Sequence, residues 1–578
     1  MRTFDLVNRA PALLALVLGA VSAFAFEPVA WWLLMPLAVA GLCELISRRP
    51  SVWGALRIGW AFGLGQFAVG LNWIATAFTY QAAMPPWLGW VAVVLLSLYL
   101  AVYPAMAAGL AWRFGKGRPV ALVLALAGAW PIVEWLRGTV FTGFPWNPVG
   151  VTLVDTPWLF LSTFIGTYGL SLLVVLAGGG LWLASRGQWR PALAVGVVLG
   201  LLLLLPKPMV STECCLKTFD AAETAAQRVL PGRTSAPPPT ESAANQTPSP
   251  PPPAPPPAPQ VRPGGGEPID PGFNLGRSTV SAIRIVQPNI GQEDKWRPGL
   301  SDEAFERLTA LSAGGPDGPR ILFWPEVAVP EPFQILGPDK QPLPVPLATI
   351  PRAMQSIRPE DILLTGAFAL ISDESGRIAG NTNSVVALTS DGRIIGRYDK
   401  AHLVPYGEYL PMRPLLSAIG LSQLAPGQGD TIYGPGPRTI DLGRFGRVGF
   451  QVCYEIVFSG DVVDESHRPD FIFNPSNDAW FGRWGPPQHL AQARLRAAEE
   501  GLPVVRSTPT GISALIAADG SVMASLPWRT AGVIDSHLPP PAPPTPFSKL
   551  GNIIPLALGF LLIALAIALG TRRRYRRT

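Results

Sequence analysis

Three side chains in the second half of this 578-residue chain have the types that nucleophilic catalysis on a carbonyl needs. Glu326 ends the apolar run "RILFWPE", Lys400 lies in "GRYDKAHLVPYGEYLP", and Cys453 ends "VGFQVC". Functional side chains are commonly placed at strand ends and in the loops that follow. The carboxylate would accept the thiol proton. The ammonium would lower the thiol pKa and stabilise the oxyanion of a tetrahedral intermediate.

The same residues also have purely structural interpretations, since they lie far apart in the sequence. A strand cysteine is often a small core residue, and a single glutamate or lysine commonly faces solvent. Zinc chemistry is disfavoured because the sequence has no CxxC or HExxH motif. Serine hydrolysis is disfavoured because no GxSxG motif lies beside any histidine, and the four are His402, His467, His489 and His537.

Short apolar segments alternate with helical segments from residue 280 to 540 and would position these side chains. Several are apolar throughout, which is typical of strands covered on both faces. The pattern predicts an α/β or α+β domain with a layered sheet core. The predicted strands lie in 282–287, 320–326, 361–370, 447–455, 470–476 and 502–508, and the predicted helices in 301–313 and 486–501.

The rest of the chain has the composition of a membrane protein. Hydrophobic residues make up 48% of the chain and charged residues 15%, against about 25% charged in a typical soluble protein. A helix needs about 20 apolar residues to cross a bilayer. The sequence predicts eight spans, near 10–26, 29–46, 54–78, 87–112, 119–138, 159–183, 191–206 and 550–570. A cleaved signal peptide is the alternative for the first.

Basic residues in short loops indicate the cytoplasmic side. They follow the second, fourth, sixth and eighth spans, which places both chain ends inside and the segment between spans seven and eight outside. The net charge of +6 lies in these loops and forms no stripe interleaved with aromatics, so a nucleic-acid partner is not expected. The predicted domains are a seven-span membrane domain (1–206), an extracytoplasmic linker (207–279), the catalytic domain (280–540), and a C-terminal span with a cytoplasmic tail (541–578).

The predicted linker contains "SPPPPAPPPAPQVRPGGGEP". Proline runs favour extended geometry and do not form a packed core. Cys214 and Cys215 lie in this segment. Oxidation or pairing outside the cell and the absence of any function both remain open for them.

The fifth predicted span ends in "EWLRGTVFTGFPW", where Glu134 and Arg137 are three residues apart. Charges at this depth are costly unless they are paired or hydrated. An ion pair that fixes the helix end and a direct lipid contact both remain open, with Trp135 and Arg137 as the candidate substrate contacts. The aromatic residues that follow suit the membrane interface.

Several motifs resemble those of the nitrilase superfamily. "WPE" at 324–326, "YDKAHLVPYGEYLP" at 398–411 and "CYE" at 453–455 look like its Glu-Lys-Cys triad. "NDAWFG" at 477–482, "GPPQH" at 485–489 and the "EWLRG" segment, with the eight-span plan, resemble the membrane-integrated apolipoprotein N-acyltransferase family. The resemblance covers almost the whole chain except the linker.

The resemblance implies an αββα sandwich. Cys453 would be the nucleophile, Glu326 the general base and Lys400 the oxyanion stabiliser. It also implies supporting positions at Glu408, Tyr454 and Glu455, and a substrate-handling loop residue at Trp296.

The family reaction is ping-pong. A phospholipid, typically phosphatidylethanolamine, gives an acyl chain to the cysteine, and the thioester acylates the N-terminal amine of a diacylglyceryl-cysteine lipoprotein. The resemblance implies no metal or soluble cofactor. It also implies a multi-pass protein of the bacterial inner membrane, with its catalytic domain facing the periplasm.

One motif departs from the family pattern of Thr-Asn-Thr-Gly. This chain has "STPTGIS" at 507–513, where Pro509 removes a side-chain donor and a backbone N–H. Two rival functions remain open. A membrane-tethered amidase would pass the acyl group to water, although eight spans exceed what a tether needs. An inactive scaffold would have no need of the complete set of Glu326, Lys400 and Cys453.

Overall fold

The computed structural model describes residues 9–80, 85–206, 225–229, 281–292, 299–418 and 431–575. Within these residues it contains a helical domain built from both ends of the chain and a domain of two β-sheets. Trp296, Cys214 and Cys215 lie outside the described residues, so their predicted roles stay predictions.

Nine α-helices of the described chain precede the sheet domain, and two follow it. Those before it are α1 (Pro11–Ser22), α2 (Leu34–Ser47), α3 (Val52–Gly70), α4 (Ile74–Ala77), α5 (Leu88–Leu100), α6 (Val102–Gly115), α7 (Pro119–Thr139), α8 (Ser162–Ser185) and α9 (Trp189–Leu202). Within the sheet domain lie α10 (Leu300–Ser312), α11 (Thr349–Met354), α12 (Arg413–Ala418) and α13 (Gly485–Glu500), and after it α14 (Pro546–Leu550) and α15 (Ile553–Tyr575).

Three helical segments of the described chain are long and apolar enough to cross a membrane. They are Leu88–Gly115, Pro119–Thr142 and Leu159–Ser185, and the pair Val52–Gly70 and Ile74–Tyr80, bent by 48°, is a possible fourth. The other predicted spans correspond to shorter apolar helices. A 12-residue helix such as α1 extends about 18 Å, less than the apolar thickness of about 30 Å. Eight complete spans are therefore not established by helix length.

Small residues let these helices approach closely. A β-carbon at Gly65 of α3 would collide with the carbonyl oxygen of Leu16 in α1, and one at Gly19 of α1 would collide with the carbonyl of Phe62. Such contacts between backbones are typical of helices packed within a membrane. They give the helical domain a fixed shape beneath the sheets.

Two sheets form the other domain. The first has the order β1 (Ala225–Val229), β14 (Gly532–His537), β2 (Ala282–Gln287), β3 (Arg320–Trp324), β5 (Ile362–Ser372), β6 (Ile378–Thr389) and β7 (Ile394–Asp399), with β4 (Gln334–Leu336) also paired to β5. The second has the order β13 (Val522–Ser525), β12 (Ala514–Ile516), β11 (Val504–Ser507), β10 (Phe471–Pro475), β9 (Arg447–Phe450) and β8 (Thr439–Asp441).

The sheets pack face to face, with a helical layer outside each. In β3, Phe323 contacts Phe473 of the second sheet with ring centroids 4.9 Å apart. Its neighbours Leu322 and Trp324 face the other way, into the cluster that contains Phe305 of α10. This alternation is the period-2 pattern of a strand. Helix α13 covers the second sheet, so the predicted αββα layering is observed.

Two elements differ from the sequence interpretation. The strand expected over 447–455 ends at Phe450, and Cys453 instead begins a 3₁₀ helix, Cys453–Val457. The φ of Cys453 is 52°, which lies outside the extended region and cannot continue a strand. In addition, β1 lies inside the predicted linker and pairs antiparallel with β14, so part of that segment joins the first sheet.

Candidate active site

The structure brings Glu326, Lys400 and Cys453 to one buried site. Glu326 follows β3, Lys400 directly follows β7, and Cys453 follows β9 of the opposite sheet. The Lys400 ammonium lies 3.7 Å from the Glu326 carboxylate. The three residues are only 6%, 1% and 5% exposed. The site is therefore formed where strand ends of the two sheets meet.

Glu408 is the nearest charge partner of Lys400. Its carboxylate lies 2.8 Å from the Lys400 ammonium and accepts a hydrogen bond from the main-chain N–H of Val404. The amide of Asn383, on β6, donates to both Glu326 and Glu408 at 2.8 Å. Asn383 was not predicted from the sequence. The signal that could have identified Asn383 is a polar side chain in the middle of a long strand.

The electrostatics keep Lys400 in its ammonium form. Burial alone would lower the pKa of Lys400, but the carboxylates of Glu408 and Glu326 outweigh burial and raise this pKa above its ordinary value. A lysine that stays protonated cannot act as a base. It can hold positive charge beside the thiol throughout a reaction.

Burial dominates the acidity of the Cys453 thiol. It raises the pKa of the Cys453 thiol well above its ordinary value, Glu326 adds to the rise, and Lys400 opposes it. Lys400 acts on the thiol pKa in the expected direction, but burial outweighs it and the net shift is upward. The cause is desolvation, which disfavours the thiolate more than the ammonium favours it. The resting thiol is neutral and needs a base at the moment of attack.

Glu455 joins the loop of Lys400 to the loop of the nucleophile. Its carboxylate accepts hydrogen bonds from the hydroxyl of Tyr398 and the main-chain N–H groups of Ala401 and His402. The main-chain N–H of Val452 donates to the other oxygen at 2.7 Å. Burial raises the pKa of Glu455 to about 7, and these donors oppose the rise.

Tyr454 connects the site to the end of helix α7. Its hydroxyl donates to the carbonyl of Gly143 at 3.3 Å, and its ring stacks on Trp146 with centroids 6.5 Å apart. The guanidinium of Arg137 donates to the carbonyl of Trp146 at 2.8 Å. Arg137 thus holds the segment that packs on the neighbour of the nucleophile.

Glu134 and Arg137 take separate partners in the described structure. Glu134 accepts hydrogen bonds from the indole of Trp130 and the main-chain N–H of Val149. Both residues hold the turn after α7, which favours the structural interpretation of this segment. Trp135 is half-buried on the same helix, and its predicted substrate contact stays a prediction.

Two family models match different parts of this chain. Residues 18–180 match the model of the apolipoprotein N-acyltransferase N-terminal domain, and residues 283–541 match that of carbon-nitrogen hydrolases. The apolipoprotein N-acyltransferase of Rhodopseudomonas palustris is 32% identical over 97% of this chain and 95% of its own. The chain belongs to the apolipoprotein N-acyltransferase family. The relative from Brucella suis is also 32% identical, over 96% of this chain and 93% of its own.

The chain is also similar to solved structures at low sequence identity. One is a Saccharomyces cerevisiae member of branch 10 of the nitrilase superfamily, 18% identical, with a TM-score of 0.33. The match covers 45% of this chain and 91% of the yeast chain.

The turn that departs from the family pattern is buried beside the sheets. Pro509 itself is buried. On either side of it, the Thr508 hydroxyl and the Ser513 main-chain N–H both donate to the side-chain oxygen of Gln287. The turn is thus held from residues that flank Pro509.

A second buried cluster contacts the main chain of the nucleophile. His489 Nε2 lies 3.0 Å from the carbonyl oxygen of Cys453, and its Nδ1 lies 2.9 Å from Asp478. Arg506 donates to both Asp478 oxygens, at 2.8 and 2.6 Å. The sequence offered "NDAWFG" and "GPPQH" as family motifs, but gave these side chains no role. Among the described residues no group of His, Cys, Asp and Glu side chains is arranged to hold a metal ion.

Proposed function

We propose that this chain transfers an acyl chain from a phospholipid to the N-terminal amine of a diacylglyceryl-cysteine lipoprotein, through a thioester on Cys453. The observation that carries the proposal is the buried site in which Glu326, Lys400 and Cys453 meet beside the end of a membrane helix. Family membership supports the same reaction. The proposed acyl donor is phosphatidylethanolamine.

In the first half-reaction Glu326 accepts the proton of the neutral Cys453 thiol as sulfur attacks the ester carbonyl. The oxyanion that develops is stabilised by the Lys400 ammonium, which is already in place and already charged. The C–O bond of the ester then breaks. The proton on Glu326 passes to the leaving oxygen, so a lysophospholipid departs and a thioester remains.

In the second half-reaction the acceptor amine attacks the thioester. Glu326 takes a proton from the amine, Lys400 again faces the oxyanion, and the C–S bond breaks as sulfur regains a proton. The products are an amide and the free thiol. Water competes with the amine at this stage, so burial of the site favours transfer over hydrolysis.

We propose a location in the bacterial inner membrane, with eight membrane passes and the sheet domain on the periplasmic side. Basic loops on the opposite side support this orientation. Both substrates are anchored by acyl chains, each buried CH₂ contributing about 0.8 kcal/mol. An enzyme acting on them gains from a site fixed at the bilayer surface, and the packing of Tyr454 on Trp146 supports such a position.

Intact-mass spectrometry of the purified protein with phosphatidylethanolamine tests the proposal. The expected result is a hydroxylamine-labile acyl adduct that is absent in Cys453→Ala and moves to a diacylglyceryl peptide when that is added. The match to carbon-nitrogen hydrolases makes hydrolysis the second candidate. An adduct released only to water would establish the hydrolase instead. If no adduct formed, even in membranes that retain lipoprotein acylation, both functions would be contradicted. Cys453 would then be a core residue.

A further inference from the structure

His489 is a fully buried residue that the proposed reaction does not use. It lies in the first turns of α13, and its side chain, like those of Asp478 and Arg506, is 0% exposed. A carbonyl oxygen accepts hydrogen bonds and cannot donate them. His489 Nε2, 3.0 Å from the Cys453 carbonyl, therefore carries a proton. This holds for both the neutral Nε2–H tautomer and the imidazolium.

The hydrogen bond holds an unusual piece of backbone. Cys453 has a φ of 52°, a conformation that is uncommon for residues other than glycine and persists only where the surroundings enforce it. Arg506 and Asp478 fix the His489 ring from its Nδ1 side. The ring in turn fixes the carbonyl of the nucleophile.

Peptide planarity carries this constraint to the next residue. In a trans peptide the C=O and N–H groups point in opposite directions. With the Cys453 carbonyl held against His489, the N–H of Tyr454 is fixed on the other edge. In the described part of the chain, this N–H has no acceptor. His489 thus sets the direction of the Tyr454 N–H. This N–H can still donate a hydrogen bond to a substrate.

We propose that His489 is a positioning residue for acyl transfer. It orients the Cys453–Tyr454 peptide so that the Tyr454 N–H faces the acyl oxygen on Cys453 and acts with the Lys400 ammonium on the oxyanion. The inference rests on the proposed acyl-transfer function. The adjacent Gln488 accepts from the Trp146 indole at 2.8 Å and donates to the carbonyl of Glu27. One helical turn therefore ties the nucleophile to the membrane domain.

Two substitutions separate the two ends of the His489 ring. The amide nitrogen of His489→Gln can occupy the place of Nε2 and donate to the Cys453 carbonyl. The shorter side chain of His489→Asn reaches only the Asp478 side. We expect His489→Asn to slow formation of the phosphatidylethanolamine-derived adduct by about 100-fold, the scale for a misplacement of about 1 Å. We expect His489→Gln to stay within about 10-fold of the unsubstituted protein.

Alkylation of Cys453 by iodoacetamide separates a positioning role from a structural one. If His489 only supported the structure, its replacement would change the alkylation rate as well. Alkylation needs the thiol but forms no oxyanion, so His489→Asn should alkylate at an unchanged rate. Gln492→Met is the matched control, because Gln492 lies one turn further along α13, is 2% exposed and donates only within that helix. It should leave both rates unchanged.

The outcomes are distinct. Adduct formation at the same reduced rate in His489→Asn and His489→Gln would overturn the positioning role, as would an undiminished rate in His489→Asn. A parallel fall in adduct formation, alkylation and thermal midpoint would also overturn it, in favour of a structural role. Absence of an adduct in the unsubstituted protein would instead contradict the proposed function itself.

Discussion

Two buried charge clusters lie on opposite sides of the nucleophile, and they are built differently. On the side-chain side, Lys400 serves two carboxylates, at 2.8 Å from Glu408 and 3.7 Å from Glu326. On the main-chain side, one nitrogen of Arg506, Nη2, donates to both oxygens of Asp478. Each cluster combines a cation with carboxylate in a water-poor interior. They differ in how closely the cation contacts its carboxylates: Arg506 hydrogen-bonds both oxygens of Asp478, whereas Lys400 is close to Glu408 and farther from Glu326.

This difference suits the Lys400 cluster to the reaction and the Arg506 cluster to a structural role. The longer distance between Lys400 and Glu326 leaves that carboxylate able to exchange a proton with the thiol. The pKa of Asp478 is held below its ordinary value, because Arg506 and His489 outweigh the effect of its burial. A carboxylate bound on both oxygens by a guanidinium keeps its charge and its place. Replacing the two cations should therefore change different measured quantities: the acylation rate for Lys400, and chiefly the free energy of unfolding for Arg506.

Replacing the cation on the side-chain side should have the largest effect on catalysis. We expect Lys400→Met to slow acyl-adduct formation by about 1,000-fold, the upper range for losing an oxyanion donor. Time-resolved intact-mass spectrometry with phosphatidylethanolamine measures the rate. Lys549→Met, an exposed lysine before the last helix, should leave the rate unchanged. A loss of less than 10-fold would remove Lys400 from the oxyanion role.

Replacing the cation on the main-chain side should mainly reduce stability. Arg506→Met leaves Asp478 buried without its guanidinium, and breaking a buried pair in this way costs about 3 kcal/mol or more of unfolding free energy. Thermal unfolding in detergent measures the change. Arg447→Met is the control, since its pair with Asp470 is partly exposed and should contribute less than about 1 kcal/mol. Equal losses of unfolding free energy in the two variants would contradict a structural role for the buried Asp478–Arg506 pair.

The two carboxylates beside Lys400 should be unequal. We expect Glu326→Gln to slow adduct formation by about 100-fold, because it removes the proposed general base. Glu408→Gln should slow it by about 10-fold, because Glu408 holds Lys400 and the Val404 N–H without taking the thiol proton. Measuring both rates under one set of conditions compares them. If Glu408→Gln were the slower variant, the base would have to be reassigned.

The sequence allowed the strand ends of the site to be predicted because apolar runs stop where polar residues begin. The expected strand at 282–287 coincides with β2, and those expected over 320–326 and 470–476 contain β3 and β10. Strand β6 was not predicted, because "IAGNTNSVVALT" does not alternate apolar and polar residues. Asn383, which bridges the two carboxylates, was missed with it.

Contacts across domains could not be predicted from local patterns. Tyr454 and Gly143 are 311 positions apart, and no spacing indicates that they meet. The raised pKa of the thiol was missed for a related reason. A lysine nearby in the fold suggests a lowered pKa, whereas the dominant effect of burial depends on the complete packing around Cys453. Helix lengths within the membrane domain likewise depend on where tertiary packing bends or ends each apolar run.

Glu455 should also make the stability of the fold depend on pH. Its pKa of about 7 in the folded protein is above the unfolded value of 4.5. Its contribution is therefore complete below pH 4.5 and is lost as pH rises through 7, by on the order of 1 kcal/mol per pH unit. Glu455→Gln should remove this slope from thermal unfolding measured across that range. Glu500→Gln is the matched control, because burial also raises the pKa of Glu500 to about 7.

Both variants should flatten the pH dependence, but only Glu455→Gln should also slow adduct formation. Its amide has only one acceptor oxygen, so either the Lys400 loop or the Val452 N–H would face a donor, leaving buried donors against one another. Glu500 instead faces Arg468, away from that loop. Equal acylation rates in the two variants would mean that Glu455 stabilises the fold without aligning Lys400 and Cys453. A slower rate only in Glu455→Gln would mean that this carboxylate aligns the side chains of Lys400 and Cys453. Its role would then parallel the one proposed for His489, which aligns the Cys453–Tyr454 peptide.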